Sequence, residues 1–496
     1  MSYLLGIDIG TTNIKVILFD VELNQILDIE SITYEINTPS KSYAEYNPSK
    51  WYNHVCKCIN KLLLNNNIES KLINGIGVSG QMHGLVALDK DKKILMPAIL
   101  HCDTRTEKQV EQIKKQVGKD IIRDELMNPI YTGFLIPSLC WIRDEKKDIF
   151  SKIKYLMLPK DYINYRLTGE ICTDYSDASG TLGLDVQRGR WSSNVLERLD
   201  LDKDVFPELR NSYDIIGKIT EKASIETGLK VGTPVVCGGG DAIMQAIGNG
   251  LINDKYGIIN IGTSGQVMFS IDSPIKNKFL NTNTFISYEK NKWLAVAAIM
   301  SAGASYKWIS RLFEERNYDI LNSYVEQIPI GSNDLIFLPH LNGERTPYLN
   351  SSLRGSLIGI TQETNKFHIT RAVMEGVSFA LKECFDVLLD MGLDSNKFII
   401  SGGASKGSVW IQMLADIFNR PISISNMSEQ AATGAAICAG IGSGCYKDMQ
   451  DAVNSIVKID EYEYTPNKEA HYEYMKYYRL YKKFHYENIY DNDFPL

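Results

Sequence analysis

From Leu4 to Asp20 the chain reads as two apolar, β-branched runs joined by Gly10-Thr11-Thr12-Asn13, the pattern of a strand, a tight turn and an antiparallel strand. A third run, Ile26 to Ile36, extends the meander. Pro48 then opens an amphipathic helical stretch through Leu64, and Ile73 to Val78 forms a short apolar strand ending in Ser79-Gly80. Strands followed by a helix recur, which predicts an α/β class.

The pattern also echoes itself. Asp8-Ile9-Gly10-Thr11-Thr12 is answered by Asn260-Ile261-Gly262-Thr263-Ser264, which lies between the apolar runs 257–259 and 266–269. Val78-Ser79-Gly80 is answered by Ile400-Ser401-Gly402, each ending a strand. Two echoes in the same order predict a duplicated α/β domain facing itself across a cleft, with a seam near residue 250. The expected organisation is an N-terminal domain over 1–249, a C-terminal domain over 250–445 and a helical cap over 446–496, a stretch rich in Tyr, Lys and Glu.

Length and composition agree with this division. At 496 residues the chain is too long for one core. A net charge of −7, with 23% charged and 44% hydrophobic residues, favours neither nucleic acid nor an anionic membrane as partner. No apolar stretch approaches the roughly 18 residues of a membrane helix, and the N-terminus enters a strand pattern at once, so a cytoplasmic location is expected. The nine cysteines form no C-x-x-C pair and the seven histidines no H-E-x-x-H, so any metal is expected to arrive with a substrate.

Several segments can carry chemistry. The turns Gly10-Thr11-Thr12 and Gly262-Thr263-Ser264 present backbone N–H groups and hydroxyls suited to phosphate, and Lys15 follows within reach of the first. Either turn alone is also ordinary hairpin chemistry. Asp8, on an apolar strand, is costly to bury unless paired or set beside a cation, for which Mg²⁺ carried by ATP is the economical partner. The alternative is a carboxylate bonded to its own turn. Gly238-Gly239-Gly240-Asp241 follows a strand and precedes the helical run Ala242 to Ile247. Asp241 can cap that helix, accept the proton of a phosphorylated hydroxyl, or both. Gln81-Met82-His83, between Gly80 and Gly84, offers polar groups at a strand end, while His101-Cys102-Asp103-Thr104-Arg105 adds a carboxylate and a guanidinium. These suit a polyol, or form an internal Asp–Arg pair. Gly402-Gly403-Ala404 at a strand-to-helix turn, and Gly303 within Ser301-Ala302-Gly303-Ala304, allow a flat nucleoside to approach backbone.

These residues resemble one family, the FGGY carbohydrate kinases, over Leu4 to about Gly442. Gly355-Ser356-Leu357-Ile358-Gly359-Ile360, with His368-Ile369 and Ala372-Val373-Met374-Glu375, is similar to the family's C-terminal signature. Within the family, Gln81-Met82-His83-Gly84, Leu158-Pro159-Lys160-Asp161-Tyr162, Ser176-Asp177-Ala178-Ser179-Gly180-Thr181 and Gly343-Glu344-Arg345-Thr346-Pro347 resemble the branch that phosphorylates D-xylulose. The resemblance implies two ribonuclease H-like domains of the actin and hexokinase type. It further implies ATP and Mg²⁺ as cofactors, Asp241 as proton acceptor, Met82 and His83 on the sugar, and Asp8 near Mg²⁺, through water. Gly262, Thr263, Gly402, Gly403 and Ala404 would hold the nucleotide. The implied partners are a sugar and ATP, with a homodimer left open. Ala242 stands where Asn is usual, His101-Cys102 where Trp-Asn is usual, and Ser138 where Lys is usual, so the implied sugar also extends to another ketopentose, a pentitol or a sugar acid. Two non-kinase readings compete: an actin-like ATPase without a sugar, and a sugar sensor without catalysis.

Overall fold

The computed structural model describes residues 2–490, with the side chains of Ala404 and of residues 487–490 outside the description. The first apolar runs form β1 (Tyr3–Ile9) and β2 (Asn13–Asp20), antiparallel, with Asp8 opposite Lys15. β3 (Gln25–Thr33) joins β2 as an edge and alternates exposed with half-buried positions, as a one-sided strand must. α1 (Pro48–Asn65) starts where Asn47 accepts the Ser49 N–H at 3.0 Å, and it buries Trp51, Tyr52, Val55, Ile59 and Leu62 in the core with β1 and β2.

β4 (Ile73–Gly80) runs parallel to β1 and sets Ser79 beside Asp8 and Gly80 beside Ile9. After α2 (Pro159–Thr168) and α3 (Tyr175–Ser179), β5 (Pro234–Val236) and β6 (Gly239–Gly240) both pair with β4. The next residue begins α4 (Asp241–Gly248). The result is a mixed seven-stranded sheet whose central strands all end at the glycine-rich turns.

The second sheet repeats the scheme. β7 (Gly257–Ile261) and β8 (Gly265–Ile271) are antiparallel, with Asn260 opposite Gln266. α5 (Gly303–Leu312) follows, and β9 (Phe398–Gly402) runs parallel to β7, placing Ser401 beside Asn260. α6 (Ser408–Phe418) leads to β10 (Ile422–Ser425), parallel to β9. Each half is thus an α/β unit of the ribonuclease H-like kind: a hairpin, then a parallel strand added beside its first member.

The chain does not divide at single points. One compact unit contains the residues up to Ile252 together with Ile271–Leu294 and Met427–Val457; the other contains Asn253–Ser270, Ala295–Asn426 and the chain from Lys458. α7 (Gln430–Gly442) belongs to the first unit because its small residues let it lie against β1, β4 and α4 at backbone distance. A Cβ on Gly77 would fall 2.0 Å from the Ala435 carbonyl oxygen. The segment expected to be a helical cap is also more than helical. β11 (Ile459–Tyr464) pairs antiparallel with β10, satisfying an edge that would otherwise lie open, before α8 (Lys468–Tyr490). Among the described residues no helix is long and apolar enough to cross a membrane.

Candidate active site

Asp8 is the penultimate residue of β1, and Ser79 on the neighbouring strand donates its hydroxyl to Asp8 Oδ1 at 2.9 Å. Burial pushes the Asp8 carboxyl up, the Ser79 bond and the Lys15 cation pull it back, and Glu429 opposes them. A further cation at this carboxylate would remove the remaining penalty, so the residues fit a Mg²⁺ ion that arrives with phosphate. Lys15 lies opposite Asp8 across the hairpin. Its ammonium pairs with Glu429 Oε2 at 2.5 Å, and Glu429, at φ 48°, is the residue that opens α7. The turn itself is braced from below. Gly10 O accepts the Tyr34 hydroxyl and, at 3.4 Å, Gln81 Nε2, while Thr12 O accepts the Tyr34 N–H at 2.8 Å. Thr11 is half-buried at the tip and Thr12 exposed.

The strand end beyond Gly80 presents three expected residues. The Gln81 N–H continues the ladder to Ile9 O at 2.9 Å, and its buried side-chain Oε1 makes no hydrogen bond among the described residues. Met82 is buried against Gly240, where an added Cβ would meet Met82 Cγ at 2.6 Å. His83 adopts a left-handed backbone, φ 75°, and its ring stacks on Phe134 with centroids 3.9 Å apart. Its Nδ1 lies 2.7 Å from Gly180 O, and since a carbonyl can only accept, Nδ1 is the donor.

Asp103 departs from its expected role. It is fully buried and accepts from Ala44 N at 2.7 Å, Arg105 N at 3.0 Å, Arg105 Nε at 2.9 Å and Arg105 Nη2 at 2.6 Å. Arg105 also pairs with Glu45 at 2.8 Å and lies over the Tyr43 ring at 3.6 Å. With so many donors already on it, the carboxylate is the centre of an internal pair rather than a hydroxyl-binding group.

Asp241 is reached through glycines for a physical reason. Gly238 has φ 70°, and a Cβ there would lie 1.8 Å from Val78 O. β6 keeps Gly239 beside Ser79 and Gly240 beside Gly80, so Asp8, Ser79 and Gly239 form one row across three strands, about 10 Å end to end from two strand spacings. Asp241 is the first residue of α4, and Gly240 occupies the position that caps the helix.

Sequence reasoning passed over the cluster behind this turn. Lys160, Asp161, Asp174 and Asp177 are all buried, with Lys160 Nζ 2.5 Å from Asp161 and 2.9 Å from Asp174. The signal was present in Lys160-Asp161, two charges inside an otherwise apolar strand-to-helix junction, but the second partner, Asp174, comes only after the helix in which Lys160 lies, and no local pattern joins the two.

In the second unit, Gly262 and Thr263 form the β7–β8 turn, and their carbonyls accept the N–H groups of Gly303 at 2.9 Å and Ala304 at 3.1 Å. This holds the first turn of α5 against the hairpin tip, beside a cavity of about 980 Å³. Gly262, Thr263, Gly303 and Gly403 line it, as do Lys307, Arg311, Arg316, Lys406 and Trp410, which sequence reasoning had not singled out. Ser264 and Gly402 are not among the lining residues, and Gly402, at φ 87°, instead makes the turn out of β9. Ala404 has its backbone in the short turn after β9, but its side chain lies outside the described residues. The volume suits a nucleotide, and the four cations suit an anionic ligand.

Comparison with known proteins agrees with this geometry. Residues 3–248 match the FGGY family of carbohydrate kinases, N-terminal domain, and residues 257–443 match the C-terminal domain. A xylulose kinase of Bacillus subtilis is 35% identical over 485 residues, covering 97% of this chain and 96% of that protein. The crystal structure of a ligand-bound xylulose kinase from Lactobacillus acidophilus superimposes with a TM-score of 0.93 at 26% identity, covering 100% of this chain and 99% of that one. A gluconate kinase from the same organism superimposes with a TM-score of 0.91 at 26% identity, covering 97% of each chain.

Proposed function

The chain belongs to the FGGY family of carbohydrate kinases, and from that premise we propose that it transfers the γ-phosphoryl group of ATP to the terminal hydroxyl of D-xylulose, with Asp241 accepting the hydroxyl proton. The observation that carries the reading is the row Asp8–Ser79–Gly239, because it sets the turn bearing Asp241 and the strand end bearing Asp8 on either side of β4, at the same level of one sheet. The sugar oxygen forms a bond to Pγ, the bond from Pγ to the bridging oxygen breaks, ADP leaves, and the proton passes to Asp241 and then to solvent. Mg²⁺ bound with ATP would neutralise the charge of the phosphates. Asp8 would hold that ion through water, and the hydroxyls and N–H groups of Thr11 and Thr12 would receive the transferred group. Met82 and His83 would orient the sugar, and Gln81 Oε1 would accept from a sugar hydroxyl. In the second unit, the cavity at Thr263, Gly303 and Gly403 would take the nucleotide. The match to carbohydrate kinases over residues 3–248 and 257–443 supports this reading over an ATPase that needs no sugar.

A second reading of the substrate rests on Ala242, which supplies no amide where one is usual, and on a likeness in fold to a gluconate kinase nearly as great, at a TM-score of 0.91 against 0.93. A coupled ADP-release assay over D-xylulose, other ketopentoses, pentitols and sugar acids separates the two. The highest kcat/KM on D-xylulose is expected, and a sugar acid or pentitol in first place would replace it.

A further inference from the structure

The glycines that bring Asp241 into place leave its turn without side chains of its own to hold it. On one side Gly239 and Gly240 are held by the ladder to β4. On the other, the Gly240 N–H donates to Ser176 Oγ at 3.0 Å. Ser176 is fully buried, and its hydroxyl hydrogen is committed to Asp174 Oδ2, so its lone pair faces Gly240. Asp174 in turn caps α3, accepting the Ser176 N–H at 2.8 Å, and its other oxygen meets Lys160 Nζ at 2.9 Å. Burial works against the Lys160 charge but is outweighed by Asp161 and Asp174, which hold the amine well above its ordinary value. Asp177, also buried and facing Asp241 electrostatically, is pushed well above the carboxylate range by desolvation.

A buried ion pair is a poor device for stability, since apolar residues of the same volume do as well or better; what it supplies is a fixed direction. Here the direction ends on one hydroxyl and one peptide N–H. The neighbouring loop residue Gly180 separately receives His83 Nδ1, so the short segment from Asp174 to Gly180 touches both the turn of Asp241 and the ring of His83.

We propose that Ser176 is a positioning residue for phosphoryl transfer: its hydroxyl, ordered by Asp174 and Lys160, fixes the Gly240 peptide and through it the aim of Asp241. The inference rests on Asp241 as proton acceptor. Ser176→Ala removes the acceptor without changing charge or adding bulk. Asp174→Asn keeps an oxygen to cap α3 but weakens the link to Lys160.

The test measures kcat, KM for sugar and for ATP, and melting temperature for both variants beside Asp241→Asn. Displacement of a reacting group by about 1 Å costs on the order of 10²-fold, so Ser176→Ala is expected to lose roughly 10- to 100-fold in kcat. Both KM values should stay within about twofold and the melting temperature should hold, with Asp174→Asn falling between it and the wild type. Wild-type kcat in Ser176→Ala beside an inactive Asp241→Asn overturns the positioning role while sparing the base. A sugar KM that rises in step with the loss of kcat also overturns it, since that marks a general distortion of the site. An active Asp241→Asn overturns the base, and the positioning role with it.

Discussion

Ser79 donates its hydroxyl to Asp8 at 2.9 Å across two parallel strands. In the second sheet Ser401 donates to Asn260 at 3.1 Å from the corresponding register. The duplicated hydrogen bond is kept, while the acceptor is a carboxylate in one half and an amide in the other. An amide is sufficient for the fold at this place, and burying a charge there costs energy; the charge at Asp8 is therefore retained for something other than packing.

Asp8→Asn should keep the Ser79 bond and fold normally while losing activity. The expected result is an unchanged melting temperature with kcat lowered about 10²-fold or more, measured by coupled ADP release across a Mg²⁺ titration. Activity close to wild type would remove Asp8 from the phosphate site.

Asp241→Asn should lower kcat by about 10³-fold, within the range for loss of a general base, while ATP binding measured by calorimetry is retained. The separation is expected because Asp241 belongs to the first unit, whereas the nucleotide-sized cavity is lined entirely by residues of the second.

Gly403 offers a cleaner probe of that cavity than its neighbours do. A Cβ on Gly303 would lie 2.4 Å from Gly262 O, so substitution there disturbs the hairpin, but among the described residues a Cβ on Gly403 comes no closer than 4.0 Å, to Ile261 O. Gly403→Val should therefore fold, raise the KM for ATP by roughly tenfold or more, corresponding to about 1.4 kcal/mol, and leave the sugar KM alone. Unchanged ATP kinetics would move the nucleotide elsewhere.

Glu383 gives the second unit a pH dependence. It accepts from the Tyr348 hydroxyl, its other oxygen is buried without a hydrogen bond among the described residues, and burial pushes it from an ordinary 4.5 up to about 8. Because the folded state holds this proton more tightly than the unfolded chain, the contribution to stability is complete below about 4.5 and is lost as pH rises through about 8. Glu375, pushed up to about 7 by burial, acts in the same direction. Glu383→Gln removes one titration, so its melting temperature should gain on the wild type between pH 5 and 8.5. A constant difference across that range would refute the shift.

Local signals along the chain determined a good part of this protein. The hairpins, the strand ends at Gly80 and Gly402 and the triple glycine before Asp241 were legible because period-two apolar runs and turn residues act over a few positions. The echo of Asp8 in Asn260 and of Ser79 in Ser401 was legible too, since duplication leaves its trace in residue order. What tertiary structure alone decided are contacts between distant segments. Asp103 could serve a sugar or an arginine, and only the placement of Ala44 and Arg105 around it settles on the arginine. Lys15 meets Glu429 because α7 comes back to the first sheet after more than four hundred residues, a return that no local pattern encodes. Lys160, Asp174 and Ser176 are closer in sequence, but their link to the Gly240 peptide spans 64 positions and is likewise absent from any local pattern. Buried charges find partners by folding, and their sequence separation says nothing of the distance between them.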